Sequence, residues 1–393
     1  MDPSTVLPVE LLQMIFQHYL SNREKTSPLT LPNGQRPCGH LQTIGLNFTP
    51  SVVQSFDLSD GLWVLGRVNS AWRKATLSSK MLWSTVLITD HVKLGIYSRS
   101  NSKIPIEILT EILHRSGDAP LHLSLSFPIN VGHEKMLSDS VSRSLFTLLS
   151  AQSHRWQWMN LTAPAVIWED FAQIPPSRLE MLRSLRAIVP SASFLVQIVG
   201  VCLSVVDLMI SSPYSNNHYA LPPVHIGMPS LRYLDISSPY INVLEAIAAP
   251  YLQSLELRGY ARRSTMLSFR SVFIEFIQRS NCSNSLTTLN LYRTCDCRDL
   301  IAMFSCTSSI PRYTDLNRSK SVPSLLPNLH TLSYRDPGLL QATDVNLILD
   351  MIESRIAGRL RNVYIGHVDR ADTQKWEGRL FALNSLPDVH IVI

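Results

Sequence analysis

The chain has 393 residues, 45% of them hydrophobic and 17% charged, with a formal net charge of +5. That composition describes a compact globular protein with a large core and excludes a long disordered acidic or basic tail. Asp2, Pro3 and Glu10 interrupt any basic-then-apolar leader, and six cysteines without regular spacing read as reduced thiols, so a cytoplasmic or nuclear location is expected.

The first predicted element is a helix that opens at Pro8, where a missing N–H costs nothing and the fixed φ is already helical. Glu10 in its first turn suits the partial positive charge of that end. Two apolar rows follow at a spacing of four: Leu11, Ile15 and Tyr19 in one, Leu12, Phe16 and Leu20 in the other. Such a helix needs cover on two sides. Residues 21–56 are expected to form a long loop, with Pro28, Pro32, Pro37 and Pro50 and an Asn33-Gly34 turn signal. Cys38 and His40 lie in it without a second pair at zinc spacing, so no metal is expected. Helical spacing returns from Leu62 to Trp83, again with more apolar residues than one face needs. Three helices of about fifty residues make a marginal core, and surplus apolar surface on so small a unit points to a partner.

A strand is predicted over 83–90 and a helix over 104–115, opened by Pro105. Gly117-Asp118-Ala119-Pro120 breaks that helix, and 121–127 alternates as a strand. From residue 150 an apolar triplet recurs, spaced three then two residues apart. Its copies are Trp156/Met159/Leu161, Leu182/Leu185/Ala187, Leu203/Val206/Leu208, Leu231/Leu234/Ile236 and Leu252/Leu255/Leu257, then Leu286/Leu289/Leu291, Leu329/Leu332/Tyr334, Leu360/Val363/Ile365 and Leu386/Val389/Ile391. Between copies, Val141/Leu145/Leu149, Phe269/Phe273/Phe276 and Val345/Leu349/Ile352 have helical spacing. Short strands returning through helices describe a leucine-rich-repeat solenoid; the usual asparagine after the triplet is missing, so an irregular one is expected. Phe194 to Ile210 is too short and too polar for a membrane span and reads as a buried helix running into a strand.

No G-x-S-x-G, H-E-x-x-H, Walker loop or G-x-G-x-x-G is present, and Cys295-Asp296-Cys297 lacks a zinc-knuckle spacing. No catalytic residue, cofactor or metal is assigned. Arg258, Arg262, Arg263, Arg270, Arg279, Arg293 and Arg298 face only Glu275 and Asp296 between residues 258 and 298, an excess equal to the whole net charge. Arginine suits bidentate pairing with carboxylate or phosphate. Arg258, Arg262, Arg263 and Arg293 are therefore candidates for binding an acidic or phosphorylated target, with a merely solvated face as the plainer reading. The stretch lacks the lysines and interleaved aromatics of a nucleic-acid surface.

Leu7-Pro8, Glu10-Leu11, Ile15-Phe16, Val68, Trp72 and Leu82-Trp83 together resemble an F-box, and the helix, break and strand over 104–127 resemble the start of the repeat domain in fungal F-box proteins. The loop at 21–56 and Asn69-Ser70-Ala71 depart from the family pattern. The resemblance implies an α/β chain with a small N-terminal three-helix F-box over 1–90, followed by an irregular leucine-rich-repeat-like solenoid over 91–393. It implies that Leu7, Pro8, Leu11, Ile15, Phe16, Leu65, Val68, Trp72, Leu82 and Trp83 dock a Skp-type adaptor. The chain would then be the non-enzymatic substrate-recognition subunit of a Skp–cullin–F-box ubiquitin ligase, its repeats binding a target protein. The alternative is a repeat scaffold that no longer engages a ligase.

Overall fold

A computed structural model describes residues 7–26, 61–88, 104–127, 135–190, 192–211, 225–237, 243–259, 269–292, 301, 304, 325–340, 342–356, 359–368 and 376–392. They form a mixed α/β fold with a large parallel sheet. The chain divides into two compact units, Met1–Leu185 and Arg186–Ile393. The expected boundary near residue 90, most of the 21–56 loop, Cys38, His40, Cys295 and Cys297 lie outside the described residues.

The first unit opens with α1 (Val9–Thr26), α2 (Gly61–Val68) and α3 (Ser70–Ser78). Helix α1 runs six residues into the expected loop and stops just short of Pro28, because a proline disfavours helical geometry in the residue before it. Asn69 caps α3, its side-chain oxygen accepting from the Trp72 N–H at 2.9 Å. A 3₁₀ turn (Lys80–Trp83) leads into β1 (Thr85–Ile88). Then come α4 (Ile104–Ser116), β2 (Leu121–Ser126), α5 (Lys135–Ser150), β3 (Trp156–Thr162), α6 (Ala165–Ala172) and the start of β4 (Ser184–Ile188). Gly117 ends α4 at φ 55°, the left-handed position that glycine takes without steric cost. Strands β1, β2 and β3 pair in parallel with Val86, Leu123 and Met159 in register.

In the second unit β4 finishes, and α7 (Ala192–Val201), β5 (Asp207–Ser211), β6 (Ile226–Gly227) and β7 (Tyr233–Ser237) follow. Next are α8 (Val243–Ala246), β8 (Ile247–Ala248), β9 (Ser254–Arg258), α9 (Phe269–Ser280) and β10 (Thr288–Tyr292). The unit ends with β11 (Thr331–Leu340), α10 (Ala342–Ile356), β12 (Asn362–Val368), α11 (Glu377–Asn384) and β13 (His390–Val392). Strands β5, β7, β9, β10, β11, β12 and β13 lie side by side in chain order, while β6 pairs β8 separately. Leu208, Leu234, Leu255, Leu289, Leu332, Val363 and Ile391 meet in register across them, all buried. Each such side chain contributes roughly 1.5–3 kcal/mol of burial.

The structure corrects the triplets in three places. The pattern begins earlier, because Trp83, Val86 and Ile88 carry the same spacing and are all buried. The third copy is Val205/Leu208/Ile210, all buried, whereas Leu203 is exposed; α7 ends at Val201, and a turn from Cys202 to Val205 shifts the anchor. In the last copy Leu386 is exposed and Ile391 is buried. Strand β13 is the last in its order, and the Asn384 side chain takes the place of a neighbour. Its Nδ2 donates to Ile391 O at 3.0 Å and its Oδ1 accepts from Ile391 N–H at 2.7 Å. A side-chain amide thus satisfies backbone groups that an edge strand would otherwise present for pairing.

Candidate functional site

The three N-terminal helices use only part of their apolar surface on each other. In α1 one row turns inward: Leu12 and Phe16 are buried, and the Phe16 ring lies 5.0 Å from Trp72. The other row, Leu7, Leu11, Ile15 and Tyr19, is between 41% and 51% exposed, with Met14 beside it at 64%. Val64, Val68, Leu77 and Met81 on the following segments are also exposed. Gln13 fixes α1 to α3 by donating to Ala75 O and Ser78 Oγ at 3.4 and 3.3 Å.

The ten residues expected to dock an adaptor therefore separate. Leu7, Pro8, Leu11, Ile15 and Val68 are exposed, and Leu65 and Trp72 are half-buried. Phe16, Leu82 and Trp83 are buried in the fold itself; their part is to hold the exposed residues in place. Trp83 donates through Nε1 to Thr76 O at 2.7 Å. The Arg115 guanidinium covers its ring at 4.4 Å and that of Trp63 at 4.9 Å, tying α4 to α2. Met14, Tyr19, Val64, Leu77 and Met81 were not among the expected docking residues; the i, i+4 spacing from Leu11 and Ile15 to Tyr19 was the available signal.

The second candidate is the face of the sheet turned away from the leucine ladder. Parallel strands following one another with crossovers of one hand place their helices on one face. In the second unit the other face carries Met209, Asp235, Glu256, Asn290, Ser333 and Tyr364 at one register position. Asp235 and Glu256 stand opposite each other and are buried, at 1% and 5% exposure. Facing like charges are destabilising, and Arg258 answers both. Its Nη2 donates to Asp235 Oδ2 at 2.8 Å and its Nε to Glu256 Oε1 at 2.6 Å. Tyr233 Oη and Asn290 Nδ2 donate to Glu256 Oε2 at 3.2 and 3.4 Å. Burial pushes the Asp235 carboxyl up to about 7; the Glu256 charge adds to this, and Arg258 and Arg186 oppose it. Burial works against the Arg258 charge, but Asp235 and Glu256 override it and hold the guanidinium more firmly protonated than usual.

Arg258, expected to meet a target's anion, is thus committed to two carboxylates of its own face. Arg279 is also used internally, donating to Leu244 O and to Ile247 O, the latter at 3.2 Å. Arg155 and Arg355 do the same elsewhere: Arg155 donates to Ala119 O at 2.7 and 2.9 Å, and Arg355 to Leu326 O at 2.9 Å and Phe304 O at 3.0 Å. Arg262, Arg263 and Arg293 lie outside the described residues. Among the described residues no group of three His, Cys, Asp or Glu side chains is placed to hold a metal, and no helix is long and apolar enough to cross a membrane. In comparisons with known proteins, the chain matches no family model and no curated protein.

Proposed function

We propose that this chain is the substrate-recognition subunit of a Skp–cullin–F-box ubiquitin ligase. Its N-terminal helices act as the F-box, and the parallel strands with their return helices act as an irregular leucine-rich-repeat solenoid that binds a target protein. One observation carries the reading: Leu11, Ile15 and Tyr19 form an exposed apolar row on α1, continued by Leu7 just before it, while the row of Leu12 and Phe16 is already buried. A contiguous apolar row left in water is the chemistry of a docking surface. The Arg115 guanidinium over the Trp63 and Trp83 rings anchors these N-terminal helices to α4. Ubiquitin transfer belongs to other subunits, and the site of action is the cytoplasm or nucleus.

The test is co-purification with a Skp-type adaptor, comparing the wild-type chain with Leu11→Ala/Ile15→Ala. Both residues are exposed, so the variant keeps its fold, while truncating a central anchor costs on the order of 2 kcal/mol, about thirtyfold in affinity. A stoichiometric wild-type complex weakened to that extent supports the reading. Equal binding by both, or by neither, refutes it and leaves a repeat scaffold that does not engage a ligase.

A further inference from the structure

The face of the second unit's sheet turned away from the leucine ladder is not uniform. Over β7 and β9 it is closed by the Asp235–Arg258–Glu256 cluster, and Asn290 and Ser333 beside it on β10 and β11 are buried as well, whereas neighbouring positions on β10 to β13 are more exposed. There Tyr292 and Tyr364 are half-buried, and Arg335 and His390 are exposed. One register row runs Arg258, Tyr292, Arg335, Gly366 across β9 to β12. The Arg335 guanidinium lies over the Tyr292 ring at 6.0 Å. A Cβ at Gly366 would stand 3.1 Å from Arg335 Nε, so the bare glycine is what lets the arginine lie across it. Unlike Arg258, Arg335 has no carboxylate partner among the described residues. One strand further, Tyr364 meets His390 edge-on at 6.0 Å.

These are the residue types that anchor interfaces. A guanidinium already oriented by stacking loses little freedom on binding, and its fork matches a carboxylate or phosphoryl group. Two strand spacings and a two-residue offset along the strands separate Tyr292 from Tyr364, roughly 12 Å or three to four extended residues. A lone cation without neighbouring lysines is poorly suited to a nucleic-acid backbone, which needs several phosphate contacts.

We propose that Tyr292, Arg335 and Tyr364, with Gly366 as the floor, bind an extended protein segment bearing one anionic side chain. The anion sits on Arg335, and the residues on either side of it lie on the two tyrosines. That the segment belongs to a degradation target rests on the substrate-recognition reading; the site itself does not.

The experiment probes an array of peptides with the full chain. The central residue is glutamate, phosphoserine, glutamine or lysine within shared neutral flanks, varied over many flank sequences. Retention of glutamate or phosphoserine peptides, with glutamine and lysine peptides lost, is expected, and whichever anion is retained assigns the group. Arg335→Gln lowers retention at least about tenfold. Gly366→Val does the same while keeping the charge, because it displaces the guanidinium. Arg270→Gln, an equal charge change on an exposed part of α9, leaves retention unchanged. The proposal is overturned if no peptide is retained, if glutamine peptides bind as well as glutamate, or if Arg270→Gln is as damaging as Arg335→Gln. Adaptor binding by Arg335→Gln stays at the wild-type level, so failure of the ligase reading and failure of this site are separate results.

Discussion

Asp235→Asn isolates the electrostatics of the buried cluster, because it keeps the side-chain volume and an oxygen that can accept from Arg258 while removing the ionisation. In the folded chain burial pushes the Asp235 carboxyl up to about 7, against about 4 for an aspartate in an unfolded chain. Between those values the folded state binds more protons than the unfolded one. The stabilisation is therefore complete below about pH 4 and is lost as pH rises through 7. Three pH units correspond to on the order of 4 kcal/mol. Asparagine carries no such dependence, so its stability relative to aspartate should climb by that order from pH 4 to pH 8. Hydrogen exchange of the β7 and β9 amides, corrected for the intrinsic rate at each pH, measures this directly. Tryptophan fluorescence would not, since Trp376 is the single tryptophan after residue 185. A stability difference that stays flat across this range would refute the assignment of a strained, protonatable carboxyl to this face.

Leu11→Ala and Ile15→Ala should each change stability by less than about 1 kcal/mol, whereas Phe16→Ala should cost about 3–5 kcal/mol; chemical denaturation followed by tryptophan fluorescence separates the two classes. Asn384→Ala should leave Ile391's outward N–H and C=O unmatched, speeding exchange of the β13 amides and raising association on concentration, as read by light scattering. Burial raises the thiol pKa of both Cys202 and Cys282, the latter to about 11. Neither should react with a thiol reagent at pH 8 until the chain is unfolded, and prompt modification of either in the native protein would count against the packing of α7 or of the turn after α9.

Much of the architecture was legible because it rests on period alone. The L-x-x-L-x-L spacing places two residues on the helix-covered face of a strand and a third in the turn before it, so Leu252/Leu255/Leu257 and Leu286/Leu289/Leu291 could be assigned without a partner in view. The same spacing failed at Leu203/Val206/Leu208, since Leu208 belongs equally to a second triplet and only the end of α7 decides between them. In α1 the two apolar rows were visible in the sequence, but which of them faces α3 was not, because both satisfy the helical repeat. Tertiary packing chose Leu12 and Phe16, and thereby left Leu11, Ile15 and Tyr19 exposed. The charges show the limit most clearly. The sequence determined that arginines outnumber acids between residues 258 and 298, but Arg258 meets Asp235 across a strand pair whose members are separated in the chain by α8 and β8. Chain neighbours can be counted from the sequence, whereas the partner of a guanidinium is set by strand register, which exists only once the sheet has formed.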